Sequence, residues 1–181
     1  MTRFPLPSLS LLLFLGLLTG CSAQTDRSVQ TDTASPSDTL AVTKSEAEWK
    51  EELPHMACFV LREKGTERAF TGKYDHHFKE GTYTCKGCGT ALFDSTTKYN
   101  SGCGWPAFFK AKENTIDEKV DRSYGMIRTE ITCKKCDGHL GHVFDDGPNP
   151  TGVRYCVNSA SMGFIPAADE KQAKPAPKPN K

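Results

Sequence analysis

The stretch Met-Ile-Arg-Thr-Glu-Ile-Thr-Cys-Lys-Lys-Cys at residues 126–136 decides the fold class of this chain. Up to residue 133 its side chains alternate in character: Ile127, Thr129, Ile131 and Cys133 against Arg128, Glu130 and Thr132. A period of two is typical of a β-strand with one buried face. The stretch ends in a Cys-x-x-Cys pair, and a second pair stands at residues 85–88. It therefore predicts a strand that runs into one half of a paired cysteine site.

Shorter strand candidates lie on both sides of this stretch and are separated by Gly and Asn: residues 81–85, 91–94, 141–144, 153–157 and 162–166. Many short strands without a long crossover helix favour antiparallel pairing. The predicted fold class is therefore mainly β, a small antiparallel barrel or sandwich-like domain.

Two short helices are predicted before the strands. Residues 45–48, Ser-Glu-Ala-Glu, form a capping-box pattern, and Pro54 interrupts the helix that they begin. In the second helix Met56 and Val60 stand one turn apart, and Gly65 supplies the stop. Cys58, between them, is predicted to be a buried helix thiol, with an accessory redox role as the alternative.

The start of the chain resembles an export signal. Residues 9–18 are an almost wholly apolar run after Arg3, and Leu-Thr-Gly-Cys at residues 18–21 resembles the bacterial lipobox. We therefore predict a lipoprotein signal peptide over residues 1–20 and an acylated Cys21 that anchors the chain in a membrane. The other predicted parts are a disordered tether, the folded domain and a disordered Lys/Pro/Ala tail: residues 21–44, 45–166 and 167–181.

Charge and the predicted anchor limit the partners. The formal net charge is +1 and acidic and basic residues are interleaved, so we expect no nucleic-acid partner. Ser22, directly after Cys21, is compatible with the outer membrane. We therefore expect a monomer in the bacterial cell envelope that faces the periplasm.

The two Cys-x-x-Cys pairs predict a structural metal site. Each pair can present two sulfurs to one ion, and four thiolates give the tetrahedral geometry of structural zinc. The pairs are further apart than the usual spacing of about 15–20 residues, and two disulfides or a redox-active Cys-x-x-Cys are the alternatives. We predict one zinc ion, held without an open coordination position, on the four cysteines: Cys85, Cys88, Cys133 and Cys136.

Two further cysteines lie in aromatic and polar surroundings. Cys103 is in Ser-Gly-Cys-Gly-Trp-Pro-Ala-Phe, and Cys156 is in Arg-Tyr-Cys-Val-Asn-Ser-Ala-Ser. If the second segment is extended, Arg154, Cys156 and Asn158 point to one face. A cation beside a thiol favours the thiolate, which is the nucleophilic form. A buried packing cysteine is the alternative at position 156.

Residues 139–142, His-Leu-Gly-His, add two titratable groups. His139 and His142 can each act on a thiol or protonate a leaving oxygen, or can be ordinary hydrogen-bonded histidines. Trp105, between a glycine and a proline, is either a core anchor or the wall of an apolar site on a turn.

These motifs together resemble one family. The segments 103–108, 139–144 and 154–161 and the paired Cys-x-x-Cys are similar to those of peptide methionine-R-sulfoxide reductase, the B type, and the match covers residues 49–166. Separate reductases act on the two epimers of methionine sulfoxide. The resemblance implies a β-rich domain with structural zinc on the four paired cysteines, and a substrate that is oxidised protein.

The resemblance also implies roles in catalysis. Cys156 is the expected nucleophile, which attacks the sulfoxide sulfur and becomes a sulfenic acid, while His142 helps to protonate the departing oxygen. Cys103 is the expected resolving cysteine, which forms a disulfide with Cys156 that a thioredoxin-like donor reduces.

Other residues are expected to hold the substrate. Asn158 and His139 would orient it, Trp105 would pack against its methyl group, and Arg154 completes the predicted site. The alternatives from other classes are a non-enzymatic zinc-ribbon lipoprotein that serves as a binding module, and a lipoprotein in which Cys103 and Cys156 form a permanent structural disulfide.

Overall fold

The structure, a computed structural model, describes residues 42–170. The predicted signal peptide, Cys21, most of the predicted tether and residues 171–181 lie outside the described residues. Within them the elements follow one another as α1 (Glu46–Glu52), α2 (His55–Glu63), β1 (Gly81–Cys85), β2 (Ala91–Asp94), β3 (Lys98–Tyr99), β4 (Ala107–Phe108), β5 (Ile116–Asp121), β6 (Arg128–Cys133), β7 (His139–Phe144), β8 (Arg154–Val157), β9 (Met162–Pro166) and α3 (Ala167–Glu170).

The strands form two antiparallel sheets. One has the order β2-β1-β9, and the other has the order β3-β4-β8-β7-β6-β5. The prediction of a mainly β, antiparallel fold with short helices is confirmed, and the strand order closes neither sheet into a barrel. Among residues 42–170, no helix is both long and apolar enough to cross a membrane.

The two N-terminal helices begin and end for local reasons. Ser45 Oγ accepts a hydrogen bond from the Glu48 backbone N–H, and the Glu48 carboxylate accepts one from the Ser45 N–H, which is the predicted capping box. Pro54 separates α1 from α2. The left-handed residue that ends α2 is Lys64, at φ 56°, rather than the predicted Gly65. Gly65 follows it with its Cα against the Phe59 ring, where a Cβ would lie 2.2 Å from a ring carbon.

Aromatic rings join the two sheets in the core. Phe93 of β2 stacks on Phe108 of β4 with ring centroids 4.3 Å apart, and Tyr83 of β1 meets the same Phe108 edge-on at 5.0 Å. All three side chains are fully buried. Such pairs contribute about 0.5–1.5 kcal/mol each beyond their apolar burial, so they fix the packing of one sheet on the other. Cys58 on α2 is buried in the same core, as predicted.

Residues next to the predicted domain limits of 45 and 166 also contact the folded part of the chain. Val42 packs against the core, and its N–H donates to the Lys135 carbonyl at 3.1 Å. At the other end Ala167 begins α3, and its N–H donates to the Glu80 carbonyl at 3.0 Å. These hydrogen bonds hold Val42 and Ala167 against the domain.

The register of the larger sheet places the predicted reactive residues side by side. Cys156 of β8 lies opposite His142 of β7 on one side and Ala107 of β4 on the other. His142 in turn lies opposite Glu130 of β6. Since directly paired residues project to the same face, this face carries a thiol, an imidazole and a carboxylate in a row.

Candidate active site

Two thiols lie in contact at the centre of the larger sheet. Cys103, in the bend before β4, has its Sγ 3.7 Å from the Sγ of Cys156. Ser101 Oγ donates to Cys103 Sγ at 2.9 Å and helps to hold it there. Because a disulfide bond is about 2.05 Å long, the two sulfurs are unbonded but need only a small movement to join.

The contact between the two thiols makes their pKa values unequal. A hydrogen bond from the Cys156 thiol lowers the pKa of Cys103 to about 5. The same contact, together with burial, raises the pKa of Cys156, while the Arg154 guanidinium acts to lower it. The pair therefore shares one proton and carries one thiolate near neutral pH, and its titration belongs to the pair rather than to either sulfur alone.

Arg154 is held beside this pair by two contacts. Its Nε and Nη2 each donate to the Asp146 carboxylate at 2.8 Å, and its guanidinium lies 4.3 Å from the centre of the Phe144 ring. Arg154, the cation that the sequence predicted beside the thiol, is thus close to both thiols and is also paired with Asp146.

A small cavity of about 120 Å³ opens over Cys156. Its lining consists of Thr66, Trp105, Arg128, Gly141, His142, Phe144, Cys156 and Asn158. Three of these residues, Thr66, Arg128 and His142, also line a neighbouring cavity of about 680 Å³. The thiol therefore lies in a narrow site with an aromatic wall, next to a wider groove.

His142 is fixed by a carboxylate. Its Nε2 donates to Asp121 Oδ2 at 2.8 Å, and Arg128 Nη2 donates to the same oxygen at 2.6 Å. Hydrogen bonds from Ser123, with those from His142 and Arg128, hold the pKa of Asp121 well below its usual range. A permanently ionised Asp121 keeps a proton on Nε2 of the imidazole and so sets its tautomer and orientation.

His139 has a supporting position. It is 3% exposed, its Nδ1 donates to Glu130 Oε1 at 2.8 Å, and Lys64 Nζ donates to the other oxygen at 2.7 Å. Burial lowers the pKa of His139, which favours the neutral ring. Its ring lies edge-on to that of His142 with centroids 5.5 Å apart. His139 lines the larger cavity but not the small one.

Asn158 and Trp105 are both held by the backbone of Glu67. Asn158 Oδ1 accepts from the Glu67 N–H at 3.0 Å, and Asn158 Nδ2 donates to the Leu140 carbonyl at 3.0 Å. Trp105 Nε1 donates to the Glu67 carbonyl at 3.1 Å. Glu67 therefore holds two of the predicted residues that line the cavity.

The side chain of Glu67 fixes a third segment. Its carboxylate accepts from the backbone N–H groups of Ser159 and Ala160 at 2.5 and 2.9 Å, directly after β8. Burial raises the pKa of Glu67, although these donors act to lower it. Glu67 thus ties the chain after Cys156 to both Asn158 and Trp105.

Among the residues that form this site, Glu67, Asp121 and Arg128 were assigned no role by sequence reasoning. Arg128 belongs to the polar set of the alternating strand, a set that normally faces solvent. In the structure that face of β6 meets the cavities, and its neighbour Glu130 is only 3% exposed. The alternation alone does not show that this polar face of β6 is buried.

The four paired cysteines form a separate cluster. The turns after β1 and β6 present two sulfurs each, and all four sulfurs lie within 4.8 Å of one another. Cys88 and Cys133 have their sulfurs 3.5 Å apart, and those of Cys85 and Cys136 are 3.7 Å apart. A tetrahedral ion with metal–sulfur bonds of about 2.3 Å needs sulfurs about 3.8 Å apart, so the cluster fits a metal ion. No residue of the cluster lines the cavity over Cys156.

Two thiols in contact, one of them in a narrow cavity beside an imidazole, are suited to thiol-dependent redox chemistry. The SelR domain model matches residues 53–166. The chain therefore belongs to the SelR family.

Curated relatives carry the name peptide methionine sulfoxide reductase MsrB. One from Bradyrhizobium diazoefficiens is 57% identical over 126 residues, 69% of this chain and 91% of the relative. One from Acinetobacter baylyi is 57% identical over 131 residues, 72% and 93% of the two chains. One from Leptospira interrogans is 56% identical over 124 residues, 68% and 95% of the two chains.

The unequal charge of the thiols predicts how Cys103 reacts with an alkylating agent. In the reduced protein the alkylation rate of Cys103 should fall as the pH is lowered, with a midpoint near pH 5. The reason is that the thiolate is the reactive form and the pKa of Cys103 is about 5. Cys156→Ala removes the hydrogen-bond donor and should move the midpoint up by at least about two pH units, towards the value of about 8.5 for a free cysteine.

Iodoacetamide labelling followed by peptide mass mapping measures this rate at Cys103 alone. Cys58→Ala is the matched control, since Cys58 lies in the core and should leave the midpoint unchanged. A midpoint near pH 8.5 in the unsubstituted protein would contradict the unequal pKa values of Cys103 and Cys156.

Proposed function

We propose that Cys156 is the nucleophile with which this chain reduces methionine-R-sulfoxide in proteins to methionine. The observation that carries the assignment is that Cys156, and not Cys103, lines the small cavity that also contains Trp105 and His142. Membership of the SelR family and the names of the relatives support the reaction.

The first step transfers oxygen from substrate to enzyme. The Cys156 thiol passes its proton to the Cys103 thiolate with which it is in contact, and the Cys156 thiolate that results attacks the sulfoxide sulfur. At the same time the sulfoxide oxygen accepts a proton, for which the imidazole of His142 lines the cavity. The oxygen then passes to Cys156 as a sulfenic acid, and methionine leaves with its sulfur reduced. Asp121 supports this step by holding the imidazole in one orientation.

The second step closes the disulfide. The Cys103 thiolate attacks the sulfenic sulfur of Cys156, a bond forms between the two sulfurs, and the oxygen leaves as water once protonated. The separation of 3.7 Å favours this reaction without rearrangement of the sheet. A thioredoxin-like dithiol then restores both thiols.

The remaining predicted residues have supporting roles in this proposal. Trp105 packs against the substrate methyl group, with its indole fixed by Glu67. Asn158 shapes the cavity from the loop after β8, and His139 supports His142 from the side. Arg154 favours thiolate at the Cys103–Cys156 pair and acts on the substrate only through those sulfurs.

Single-turnover chemistry separates the two cysteines. Pre-reduced Cys156→Ser should release no methionine from a sulfoxide peptide, because the attacking sulfur is gone. Cys103→Ser should release about one equivalent per chain and then stall with a sulfenic acid on Cys156, because no thiol is left to form the disulfide. Quenched-flow product analysis and mass spectrometry of the stalled protein give both readouts. A burst in Cys156→Ser and none in Cys103→Ser would reverse the two roles.

Zinc is the metal that we propose for the four-cysteine cluster. Four thiolates close the coordination sphere, so the ion would stabilise the fold and leave the redox step to the two free thiols. The purified domain should contain about one zinc per chain, and Cys133→Ser should lose both the metal and cooperative unfolding. Cys58→Ala, which removes a buried sulfur outside the cluster, should retain both. Elemental analysis and thermal unfolding provide the test, and a zinc-free domain with an unchanged melting temperature would contradict it.

A lipid anchor on Cys21 is proposed for the part of the chain outside the described residues. The apolar run and the Leu-Thr-Gly-Cys segment support it, with the enzyme a monomer on the periplasmic side of the outer membrane. Cys21→Ala should move the protein from the membrane to the soluble fraction and leave its activity intact, since Cys21 lies outside the matched domain. Cell fractionation with an activity assay measures both, and a variant that stays in the membrane would refute acylation as the anchor.

A further inference from the structure

The small cavity over Cys156 adjoins a wider one, of about 680 Å³, which we name the flanking groove. Its lining comes from α2, residues 64–66, the hairpin of β5 and β6, and β7. The flanking groove and the small cavity, of about 120 Å³, share Thr66, Arg128 and His142. A pocket that holds a whole small ligand usually has about 300–1,000 Å³. The small cavity therefore has room for one side chain, and the rest of a bound polypeptide must lie outside it.

Two aromatic rings border the flanking groove. Phe59, on α2, is 37% exposed, and Tyr124, at the tip of the β5–β6 hairpin, is 89% exposed. Aromatic side chains contribute a large apolar contact area when they are buried by a partner. Two exposed rings next to the reactive cavity therefore offer apolar contact area to a bound polypeptide.

The ring of Phe59 occupies space that Gly65 leaves open. A Cβ on residue 65 would lie 2.2 Å from a carbon of this ring, so the ring keeps its place only beside a residue without a side chain. Gly65 itself lines the flanking groove. The ring is thus a wall that exists before a ligand arrives, and a preformed wall reduces the entropy lost on binding.

Tyr124 has a backbone conformation that is unusual for its residue type. Its φ is 55°, in the left-handed region, where a bulky side chain is strained. Backbone strain of this kind is concentrated at binding and catalytic sites. Because the ring is almost fully exposed, packing within the domain does not account for an aromatic residue at this position.

The charges of the flanking groove are paired within the protein. The ion pairs are Lys64–Glu130, Arg128–Asp121 and, more loosely, Lys50–Glu63, with N–O distances of 2.7, 2.6 and 4.0 Å. A charged ligand side chain therefore meets neutralised pairs among the described residues that line the groove, whereas an apolar side chain meets two rings.

We propose that Phe59 and Tyr124 form a subsite for an apolar side chain that stands near the methionine sulfoxide in the protein substrate. The inference rests on the proposed function, because the reacting side chain must occupy the small cavity while its neighbours lie in the flanking groove. Methionine is often buried in folded proteins together with other apolar residues. The subsite therefore fits the sequence surroundings that a buried methionine commonly has.

Competition between two peptides tests the subsite. The reduced, intact enzyme is mixed with dithiothreitol and equal amounts of two end-blocked pentapeptides with methionine-R-sulfoxide at the centre. One peptide has glycine at its other four positions, and the second has leucine in place of one of these glycines. Mass spectrometry of both products gives the ratio of the two kcat/KM values in a single tube, whatever fraction of the enzyme is active.

Leucine is tested at each of the four positions in turn. We expect at least about fivefold preference over glycine at one or more of them, because an apolar side chain loses contact with water against the two rings. Aspartate or lysine at the same position should remain within about twofold of glycine, since the charges of the groove are already paired.

Substitutions then assign the preference to the rings. Tyr124→Ser and Phe59→Ser should each reduce the leucine preference to less than about twofold, and Tyr124→Phe should retain it, because the ring makes the contact. Ile127→Ser is the matched control and should also retain it. Ile127 is 74% exposed on the same hairpin and lines neither cavity.

Three outcomes would overturn the subsite. These are equal kcat/KM values for the two peptides at every position, a leucine preference that both serine variants retain, and the same loss of preference in Ile127→Ser. Lipid is the other occupant to exclude: if Cys21→Ala binds vesicles of phosphatidylethanolamine and phosphatidylglycerol and Tyr124→Ser abolishes this binding without changing the peptide preference, the rings belong to a lipid-binding surface instead. An unsubstituted enzyme that reduces neither peptide would refute the proposed function rather than the subsite alone.

Discussion

The contact of four cysteine sulfurs from two turns is the constraint on which the rest of the structure depends. One turn follows β1 in the smaller sheet and the other lies between β6 and β7 in the larger sheet, so the cluster links the two sheets at one end. The aromatic stack of Phe93 on Phe108 links them again in the core. Because β6 and β7 also carry Glu130 and His142, fixing the second turn fixes the start of the strand that presents the imidazole to Cys156. The cysteine cluster and the aromatic stack thus lie outside the reactive site but determine how its residues are placed.

Within that framework, Glu67 organises the site. Its backbone holds Trp105 and Asn158 and its carboxylate holds the chain directly after β8, so one residue couples the aromatic wall to the strand that carries Cys156. The dithiol then separates two cavities. Cys156 lines the small cavity and Cys103 lines a different one, so the two sulfurs have different surroundings.

Sequence patterns were sufficient for the fold class and the cysteine cluster, because each rests on local periodicity or spacing. The roles predicted for the reactive segments came from their resemblance to a known family. Sequence patterns were not sufficient for β5, whose sequence Ile-Asp-Glu-Lys-Val-Asp is largely charged since it forms an exposed sheet edge. They also missed Glu67 and Asp121. The Glu67 carboxylate meets Ser159 across 92 residues of sequence and Asp121 meets His142 across 21, and such pairs become visible only when the sheet is assembled. Arg128 was assigned no role for a related reason, since alternation identifies a polar face without showing what covers it.

The central claim is that a narrow, chiral cavity presents one sulfoxide epimer to Cys156, and epimer selectivity tests it most directly. If Trp105 receives the methyl group and His142 lies on the side of the oxygen, only one configuration at sulfur can place all three groups together. The soluble domain should be incubated with dithiothreitol and each epimer of a blocked methionine sulfoxide in turn, with consumption followed by chiral chromatography. The account predicts that the R epimer is consumed and the S epimer persists. Equal consumption of both epimers, or preference for S, would contradict it.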